Sequence, residues 1–281
     1  MSETISGTLY LVATPIGNLS DISARAVKTL QEVDFVAAED TRITGRLLEH
    51  LSIKKPLVSY YKHNSRASGE KIVRRILEGE SCALVTDAGT PAVSDPGQEL
   101  VSLCAASGIT MIIIPGPCAA VSALALSGLD TGRFTFEGFL SVEKKKRLLH
   151  LDELKTEKRT MIFYEAPHKL LRTLADLLNA FGDRQISISR EMTKMYEETL
   201  RLSISEAIEH FESNAPRGEF VLVVEGSEDL PLTDNRLEDG IKVAGTFIED
   251  GMSARDAVKK AADETGCSRN VLYKALIKNM D

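Results

Sequence analysis

The sequence predicts an α/β protein followed by a small helical segment at its carboxyl end. Four apolar runs of strand length each lead into a loop rich in Gly, Pro or Asp, and a helical pattern follows each loop. Beyond residue 235 the chain has helical patterns without a strand signal. Strands that alternate with helices are typical of α/β folds, whose ligands bind outside the carboxyl ends of the strands. The four loops are therefore candidate walls of a pocket, in one sheet or in two.

The first run covers residues 9–13 and leads into a loop over residues 14–18. Ser20 or Asp21 is then expected to cap a helix, because short polar side chains accept hydrogen bonds from the first free backbone amides. The apolar residues of this helix recur at helical spacing: Ile22, Ala26, Val27, Leu30 and Val33.

A further strand-like run, residues 35–38, ends at the acidic pair Glu39 and Asp40, and Arg42 follows closely. Adjacent carboxylates at a strand end bind metal, orient a substrate hydroxyl or pair with a neighbouring arginine. The spacing leaves these alternatives open. Farther along, His63 is a candidate general base, although a lone histidine is more often structural.

The longest loop covers residues 86–97, directly after the apolar run 82–85, and contains Asp87 and Asp95. An ordinary turn between a strand and a helix needs about two to six residues. The greater length and the two aspartates favour a ligand site over a plain turn. A helix over residues 98–107 is expected next.

The remaining two loops follow the apolar runs 109–114 and 160–164. Residues 115–118 precede an alanine-rich helix, and residues 165–168, with Glu165 and His168, precede a helix over 169–181. Later in the chain, Arg190, Glu191 and Lys194 belong to a densely charged segment that contains two further glutamates. That segment is either part of a site or a surface network of salt bridges.

The composition is that of an ordinary globular enzyme, with 281 residues, 43% hydrophobic and 27% charged. No stretch has the roughly 18 apolar residues of a membrane span, and the N-terminus lacks a signal-peptide pattern. We therefore expect a cytoplasmic protein. The four cysteines are dispersed, which favours reduced thiols over disulfides or a zinc site.

The net charge of −7 argues against nonspecific coating of nucleic acid, which depends on clustered Lys and Arg. Locally, residues 143–159 contain seven basic and four acidic side chains. This basic segment is either a solvated helix with salt bridges or a patch that contacts phosphates. The basic residues are Lys144, Lys145, Lys146, Arg147, Lys155, Lys158 and Arg159.

A domain boundary is expected near residues 226–235, which are polar and acidic and follow a strand-like run over 219–224. Two short helices follow, over residues 253–262 and 268–276, with Gly266 between them. They form either a helix-turn-helix or a plain packing hairpin. A helix-turn-helix would present four side chains to nucleic acid: Arg269, Asn270, Tyr273 and Lys274.

Seven motifs together, in this order and at these separations, resemble the tetrapyrrole-methylase superfamily. The motifs are VATPIGNLSDISARA, AEDTR, TDAGTPAVSDPG, PGPCAA, FYEAPHK, REMTK and RGEFVLVVEG. Within the superfamily, the chain is similar to a branch of ribosomal RNA cytidine 2′-O-methyltransferases over residues 8–226, and its tail resembles the helix-turn-helix tail of that branch. It departs from the usual pattern at Ser65, Cys118 and Ser141, where Glu, Ser and Pro are usual.

The resemblance implies two α/β domains of the tetrapyrrole-methylase type, residues 1–117 and 118–230, and a C-terminal helical domain over residues 235–281. S-adenosylmethionine would bind in the cleft between the two α/β domains and no metal would be needed. Matched motif by motif, the cofactor contacts would be Pro15, Ile16, Asp87, Thr90, Cys118, Ala119 and Phe163.

The reaction implied by the resemblance is methylation of a cytidine ribose in 16S ribosomal RNA of the small subunit, by a homodimer that does not bind membranes. Eight residues are candidates for placing the ribose and taking its proton: Glu39, Asp40, Arg42, Glu165, His168, Arg190, Glu191 and Lys194. Two other classes remain open. One is a methyltransferase for tetrapyrroles, other small molecules or proteins; the other is a helix-turn-helix regulator without enzymatic activity.

Overall fold

A computed structural model of the protein describes residues 7–62, 64–227, 234–265 and 269–278. His63, Gly266 and Cys267 lie outside the described residues. The chain folds into two compact units, Met1–Gly226 and Ser227–Asp281. The two sheets formed by the described residues both belong to the first unit.

The first sheet contains five parallel strands: β1 (Thr8–Val12), β2 (Phe35–Ala38), β3 (Leu57–Ser59), β4 (Cys82–Val85) and β5 (Thr110–Ile114). Their order across the sheet is β3-β2-β4-β1-β5. Every residue of β2 and β4 is buried, since apolar clusters cover both faces of the sheet. Because all five strands are parallel, the loops that follow them meet at one edge.

Four helices connect these strands: α1 (Ala24–Glu32), α2 (Thr41–His50), α3 (Ser65–Leu77) and α4 (Gln98–Ala106). The prediction that Ser20 or Asp21 caps α1 is wrong. Ser23 caps this helix by accepting from the Ala26 amide at 3.1 Å. Ser20 and Asp21 belong instead to a separate 3-10 turn, Leu19–Asp21, whose cap is Asn18. The Asn18 side chain starts this extra turn before α1 begins.

The second sheet has the order β6-β7-β10-β8-β9. Its strands are β6 (Phe134–Phe139), β7 (Thr160–Glu165), β8 (Gln185–Arg190), β9 (Glu198–Ser203) and β10 (Phe220–Val224). Only β6 and β7 pair in parallel, and the other neighbours are antiparallel. Three of the four punctuated loops thus follow strands of the first sheet, and the fourth follows β7 of the second.

Helices cover both faces of the second sheet. A large apolar cluster packs α6 (Lys144–Glu153), α7 (Leu170–Phe181) and α8 (Ile204–Ser213) on one face. On the other face, α5 (Ala119–Ser127) packs against β7 and β10 together with Ile16 from the loop after β1. This second cluster brings the loops of the first sheet against the second sheet.

The C-terminal unit contains α9 (Asp234–Glu249), α10 (Ala254–Thr265) and α11 (Arg269–Lys278). Its buried core is formed by Ala244, Val258, Ala261, Ala262, Leu272 and Leu276. The two predicted short helices are therefore present, preceded by a longer helix that the sequence left unassigned. No described helix is long and apolar enough to cross a membrane.

Candidate functional site

A cavity of about 380 Å³ lies where the loops of the first sheet meet the second sheet. The loops after β1, β4 and β5 form one side, and residues of β6, β7 and β10 form the other. Its walls are largely apolar, with Ile16, Val93 and Met192, and three carboxylates, Asp95, Glu165 and Glu219, line it as well. Ligand pockets with volumes of roughly 300–1,000 Å³ commonly combine apolar walls with a few polar groups in this way.

Hydrogen bonds between the loops hold this cavity in shape. Thr14 and Gly89 exchange backbone hydrogen bonds of 2.9 and 3.0 Å, and the Thr14 hydroxyl donates to the Thr86 carbonyl at 3.1 Å. The Thr90 hydroxyl donates to the Pro117 carbonyl at 3.2 Å. The long loop is thereby joined to the loops after β1 and β5.

Two segments beside the cavity have strained backbone conformations. Ala92 and Ser94 in the long loop have φ angles of 68° and 69°, and Glu191 and Thr193 have φ angles of 49° and 67°. Such angles are uncommon for residues with a side chain and concentrate at functional sites. The first loop also approaches the second segment closely, since a Cβ on Gly17 would lie 2.5 Å from Lys194 Cγ.

The structure distributes the expected cofactor contacts over three places. Ile16, Thr90, Cys118 and Ala119 line the main cavity. Two other expected contacts, Pro15 and Asp87, line a neighbouring depression of about 270 Å³.

The side chain of Phe163 does not reach the cavity. It is fully buried in the cluster formed with α6, α7 and α8. Successive side chains of a strand point to opposite faces, so Tyr164 lines the cavity in its place. The alternation along β7 is the signal that could have identified Tyr164 from the sequence.

Tyr164 and its aromatic neighbours form one wall of the cavity. The Ala120 amide donates to the Tyr164 hydroxyl at 3.2 Å, which positions the start of α5. The rings of Phe136 and Phe139 contact the Tyr164 ring edge to face, with centroids 5.1 and 5.5 Å away. Burial raises the pKa of Tyr164 to about 12, so its hydroxyl keeps its proton at neutral pH.

The two adjacent acids after β2 have different surroundings. Asp40 caps α2 and pairs with Arg42 at 2.6 Å, and hydrogen bonds from the Arg42 side chain and amide hold the pKa of Asp40 well below its usual range. Glu39 accepts instead from the Thr86 hydroxyl at 2.7 Å. Of the three alternatives for the acidic pair, pairing with Arg42 is the one present for Asp40. Asp40 also donates its amide to Asp87 at 3.1 Å, beside the neighbouring depression.

Asp95 is a cavity residue that was not among the predicted contacts. Burial raises the pKa of Asp95 to about 6, and the negative charges of Glu39 and Asp87 act in the same direction. A hydrogen bond with the Thr86 side chain lowers it only in part. This carboxyl therefore changes its charge just below neutral pH.

Glu165 and His168 follow β7 but differ in exposure. Glu165 is only 4% exposed and accepts from the Ala166 amide at 2.8 Å and from the Thr173 hydroxyl at 2.5 Å. His168 is exposed in a short 3-10 turn, Pro167–Lys169, and is not part of the cavity lining.

The charged segment between β8 and β9 is a network of ion pairs at the rim of the cavity. Lys194 Nζ lies 3.1 Å from a Glu191 carboxylate oxygen and 2.9 Å from one of Glu219, which lines the cavity. Burial lowers the pKa of Lys194, but the hydrogen bonds with Glu219 and Glu191 outweigh this effect and raise it. Arg190 pairs with Glu198 at 3.1 Å, and its Nε is buried without a partner in the described part of the chain.

Ion pairs neutralise much of the basic segment. Arg147 is 3% exposed and pairs with Asp176 at 2.7 Å. Three further basic residues have acidic neighbours: Lys146 with Glu143, Lys155 with Asp152, and Arg159 with Glu157. Lys144 and Lys145 are exposed and have no carboxylate within 4.0 Å among residues 7–62, 64–227, 234–265 and 269–278. They are the part of the segment best suited to contact phosphate.

In the C-terminal unit, Arg269 and Tyr273 of α11 are exposed, and the side chains of Asn270 and Lys274 lie outside the described set. Leu272 and Leu276 of the same helix are buried. The arrangement agrees with either a helix-turn-helix or a packing hairpin, because the turn between α10 and α11 is not described.

A family model described as Tetrapyrrole (Corrin/Porphyrin) Methylases matches residues 8–208. A protein of Synechocystis sp. named "Ribosomal RNA small subunit methyltransferase I" is 46% identical over 95% of this chain and 96% of its own length. A Bacillus subtilis protein of the same name is 43% identical over 96% of this chain and 94% of its own. A Thermotoga maritima protein of that name is 50% identical over 222 residues, 79% of this chain and 100% of its own.

Solved structures with much lower sequence identity share the fold of this chain. A uroporphyrin-III-C-methyltransferase from Thermus thermophilus has a TM-score of 0.55 at 20% identity, over 78% of this chain and 94% of its own. A diphthine synthase has a TM-score of 0.58 at 14% identity, over 78% of this chain and 90% of its own. At these identities the likeness concerns the fold alone.

Proposed function

Because the chain belongs to the tetrapyrrole methylase family, we propose that it methylates a cytidine ribose in 16S ribosomal RNA at the 2′-oxygen, with S-adenosylmethionine as donor. The acceptor is supported by relatives named ribosomal RNA small subunit methyltransferase I, which are 43–46% identical to this chain over nearly its full length. The geometry supports the donor, since four of the seven expected contacts line one cavity.

The cavity fits the chemistry of this donor. Its apolar walls suit an adenine ring and a methylthio group, while Glu165 and Glu219 supply negative charge for a cationic sulfonium. S-adenosylmethionine supplies an activated methyl carbon, so the protein needs to bring an acceptor oxygen in line with it and to accept a proton. We propose Ile16, Thr90, Cys118 and Ala119 as direct contacts; Pro15 and Asp87 would contribute through the adjoining depression, and Phe163 only through its backbone.

The candidates for handling the ribose separate by position. Glu165 lines the cavity, and Glu191 and Lys194 hold Glu219 at its rim. Glu39 is hydrogen-bonded to Thr86, at the start of the long loop. Asp40, which pairs with Arg42, lies beside the neighbouring depression. His168 and Arg190 do not line the cavity: His168 lies in an exposed turn, and Arg190 is in an ion pair with Glu198. We propose that Glu165 and the Lys194 network orient the ribose.

RNA recognition would use surfaces outside the cavity. We propose that Lys144 and Lys145 contact phosphates and that the C-terminal unit docks on the small ribosomal subunit. An acidic protein with local positive patches is suited to a shaped target more than to naked RNA, and single-stranded regions allow a base to be splayed out.

We further propose that the protein works in the cytoplasm, without metal, and as a homodimer. Cys82, Cys104 and Cys118 are free thiols, in keeping with a reducing compartment. Ile113, Val121 and Leu126 expose apolar side chains that a second copy could cover. Light scattering of the purified protein at several concentrations measures the oligomeric state.

Transfer of a labelled methyl group tests the main proposal. Purified protein is incubated with labelled S-adenosylmethionine and with small ribosomal subunits, naked 16S RNA or a tetrapyrrole precursor. Label on a cytidine ribose 2′-oxygen of the subunit is the expected outcome, with less on naked RNA. Label on the tetrapyrrole would favour the alternative small-molecule activity, and label on a base would refute ribose methylation.

A further inference from the structure

Among the three carboxylates that line the cavity, Asp95 has the least compensated charge. Both oxygens of Glu165 accept hydrogen bonds, from the Ala166 amide and the Thr173 hydroxyl. Glu219 pairs with Lys194 at 2.9 Å. In the described part of the chain, no Lys, Arg or His nitrogen lies within 4.0 Å of Asp95. A carboxylate that has neither a cationic partner nor a backbone amide donor is the better proton acceptor.

The groups around Asp95 favour its role as a proton acceptor. Glu39, from the end of β2, and Asp87, from the same loop, are both acidic neighbours that disfavour its charge. The Thr86 hydroxyl donates to Glu39 at 2.7 Å. The hydrogen bond of the Thr86 side chain with Asp95 lowers the pKa of Asp95, but burial and the charge of Glu39 raise it by more. From β7, the Tyr164 hydroxyl faces the same region and stays protonated near neutral pH. Burial and these neighbours place the pKa of Asp95 at about 6, close to the working range of a general base.

The long loop also holds Asp95 in a defined position. The preceding residue, Ser94, has a φ angle of 69°. Gly97, two residues later, has a φ of 148°, and a Cβ there would lie 2.9 Å from Ala92 Cβ. The backbone on both sides of Asp95 is therefore tightly constrained, as a catalytic position requires.

We propose that the Asp95 carboxylate accepts the proton of the acceptor hydroxyl during methyl transfer. This inference rests on the proposed function and adds to it the group that removes the proton. The hydroxyl O–H bond breaks and its proton passes to an Asp95 oxygen, while the hydroxyl oxygen bonds to the methyl carbon. The methyl–sulfur bond breaks with its electron pair staying on sulfur, which becomes a neutral thioether. No further reactant is required.

The test compares wild type with Asp95→Asn, which keeps the size of the side chain but cannot accept a proton. Glu78→Gln is the control, since Glu78 is exposed at the end of α3, on the edge of the sheet opposite the cavity. Single-turnover methyl transfer to small ribosomal subunits is measured from pH 5 to pH 8, and cofactor affinity by calorimetry. The control is expected to behave as wild type.

For Asp95→Asn, the rate at pH 8 is expected to fall about 100-fold or more, the usual contribution of a general base. The wild-type rate should rise with a midpoint near pH 6, and the variant should lose this rise. Cofactor affinity should stay within about fivefold, well under the loss of rate. Loss of rate together with an equal loss of affinity would make Asp95 a cofactor contact and overturn the inference.

Failure of the inference and failure of the proposed function give different results. If wild type and Asp95→Asn label the ribose at equal rates, the proposed function stands and the role of Asp95 is refuted. If wild type labels no ribose in the subunit but does label another acceptor, the proposed function is refuted and the inference with it. Calorimetry then still reports whether both proteins bind the cofactor.

Discussion

Thr14 and Gly89 exchange both of their backbone hydrogen bonds, at 2.9 and 3.0 Å, although they belong to loops that follow different strands. The exchange forms an isolated antiparallel bridge between the loops after β1 and β4. Because β1 and β4 are adjacent and parallel, their loops leave the sheet side by side and pair in this way. The bridge makes the two loops a single wall of the cavity.

Replacement of Thr90 is expected to weaken cofactor binding. Thr90→Leu puts extra carbon atoms into the cavity and removes the hydrogen bond to the Pro117 carbonyl, so the dissociation constant for S-adenosylmethionine should rise about 10- to 100-fold. Thr90→Val keeps the shape and should cost less. Calorimetry measures both.

The matched comparison is Asp87→Ala. Asp87 lines the neighbouring depression, and its carboxylate accepts from the Asp40 amide. Its loss should therefore affect cofactor affinity less than Thr90→Leu does. A larger loss of affinity for Asp87→Ala than for Thr90→Leu would place the cofactor in the depression instead of the main cavity.

A chain that ends at Gly226 is expected to fold and to bind S-adenosylmethionine as the full chain does, because the cavity lies within the first compact unit. The full-length match of the 222-residue Thermotoga maritima relative supports this expectation. Methyl transfer to small ribosomal subunits should fall markedly. Full activity of the shortened chain would remove the C-terminal unit from substrate docking.

Charge reversal at Lys144 and Lys145 should reduce the salt dependence of binding to the small subunit. Each lost phosphate contact lowers the slope of log K against log salt by about 0.7 for single-stranded RNA. The control is Lys28→Glu with Lys71→Glu, which changes the net charge equally on exposed helices of the first sheet. An equal effect of both pairs would indicate net charge alone, and no effect would indicate a solvated face.

Removal of Arg147 should strongly destabilise the protein. Arg147→Ala leaves Asp176 without its buried partner and removes donors from the Ser141 and Val142 carbonyls, a loss of about 3–5 kcal/mol. Arg159→Ala breaks an ion pair that is partly exposed and should cost under about 1 kcal/mol. Urea unfolding followed by circular dichroism compares the two. Similar losses would contradict the structural role assigned to Arg147.

Asp95→Asn should stabilise the protein at neutral pH. The pKa of Asp95 is raised from 3.8 to about 6 in the folded state, so the fold favours the protonated form. This contribution to stability is present below about pH 3.8 and is lost as the pH rises through 6. At pH 7.5 the free energy of unfolding of the variant should exceed that of the wild type by about 1 kcal/mol, once solvent screening is allowed for. The gain should vanish near pH 4, and a gain that is constant with pH would refute the assigned titration.

The sequence predicted the strands and loops because their signals are local. The apolar run before residue 86 and the Gly and Pro residues after it specify a strand and a turn whatever the rest of the chain does. The strands β8 and β9 were missed, although Ile186 and Ile188 alternate with serines in the pattern of a half-buried strand. The charged residues between them indicate only a loop, and that loop joins the two antiparallel strands.

By itself, the sequence determined the α/β class, the family resemblance and the four loops, whose residues line much of the cavity. Tertiary structure alone decided which partners each side chain meets. It buried Phe163 and turned Tyr164 to the cavity, paired Arg147 with Asp176, and set Asp95 beside Glu39. Burial and charge interactions join residues that are distant in the chain, so a local sequence pattern cannot predict them.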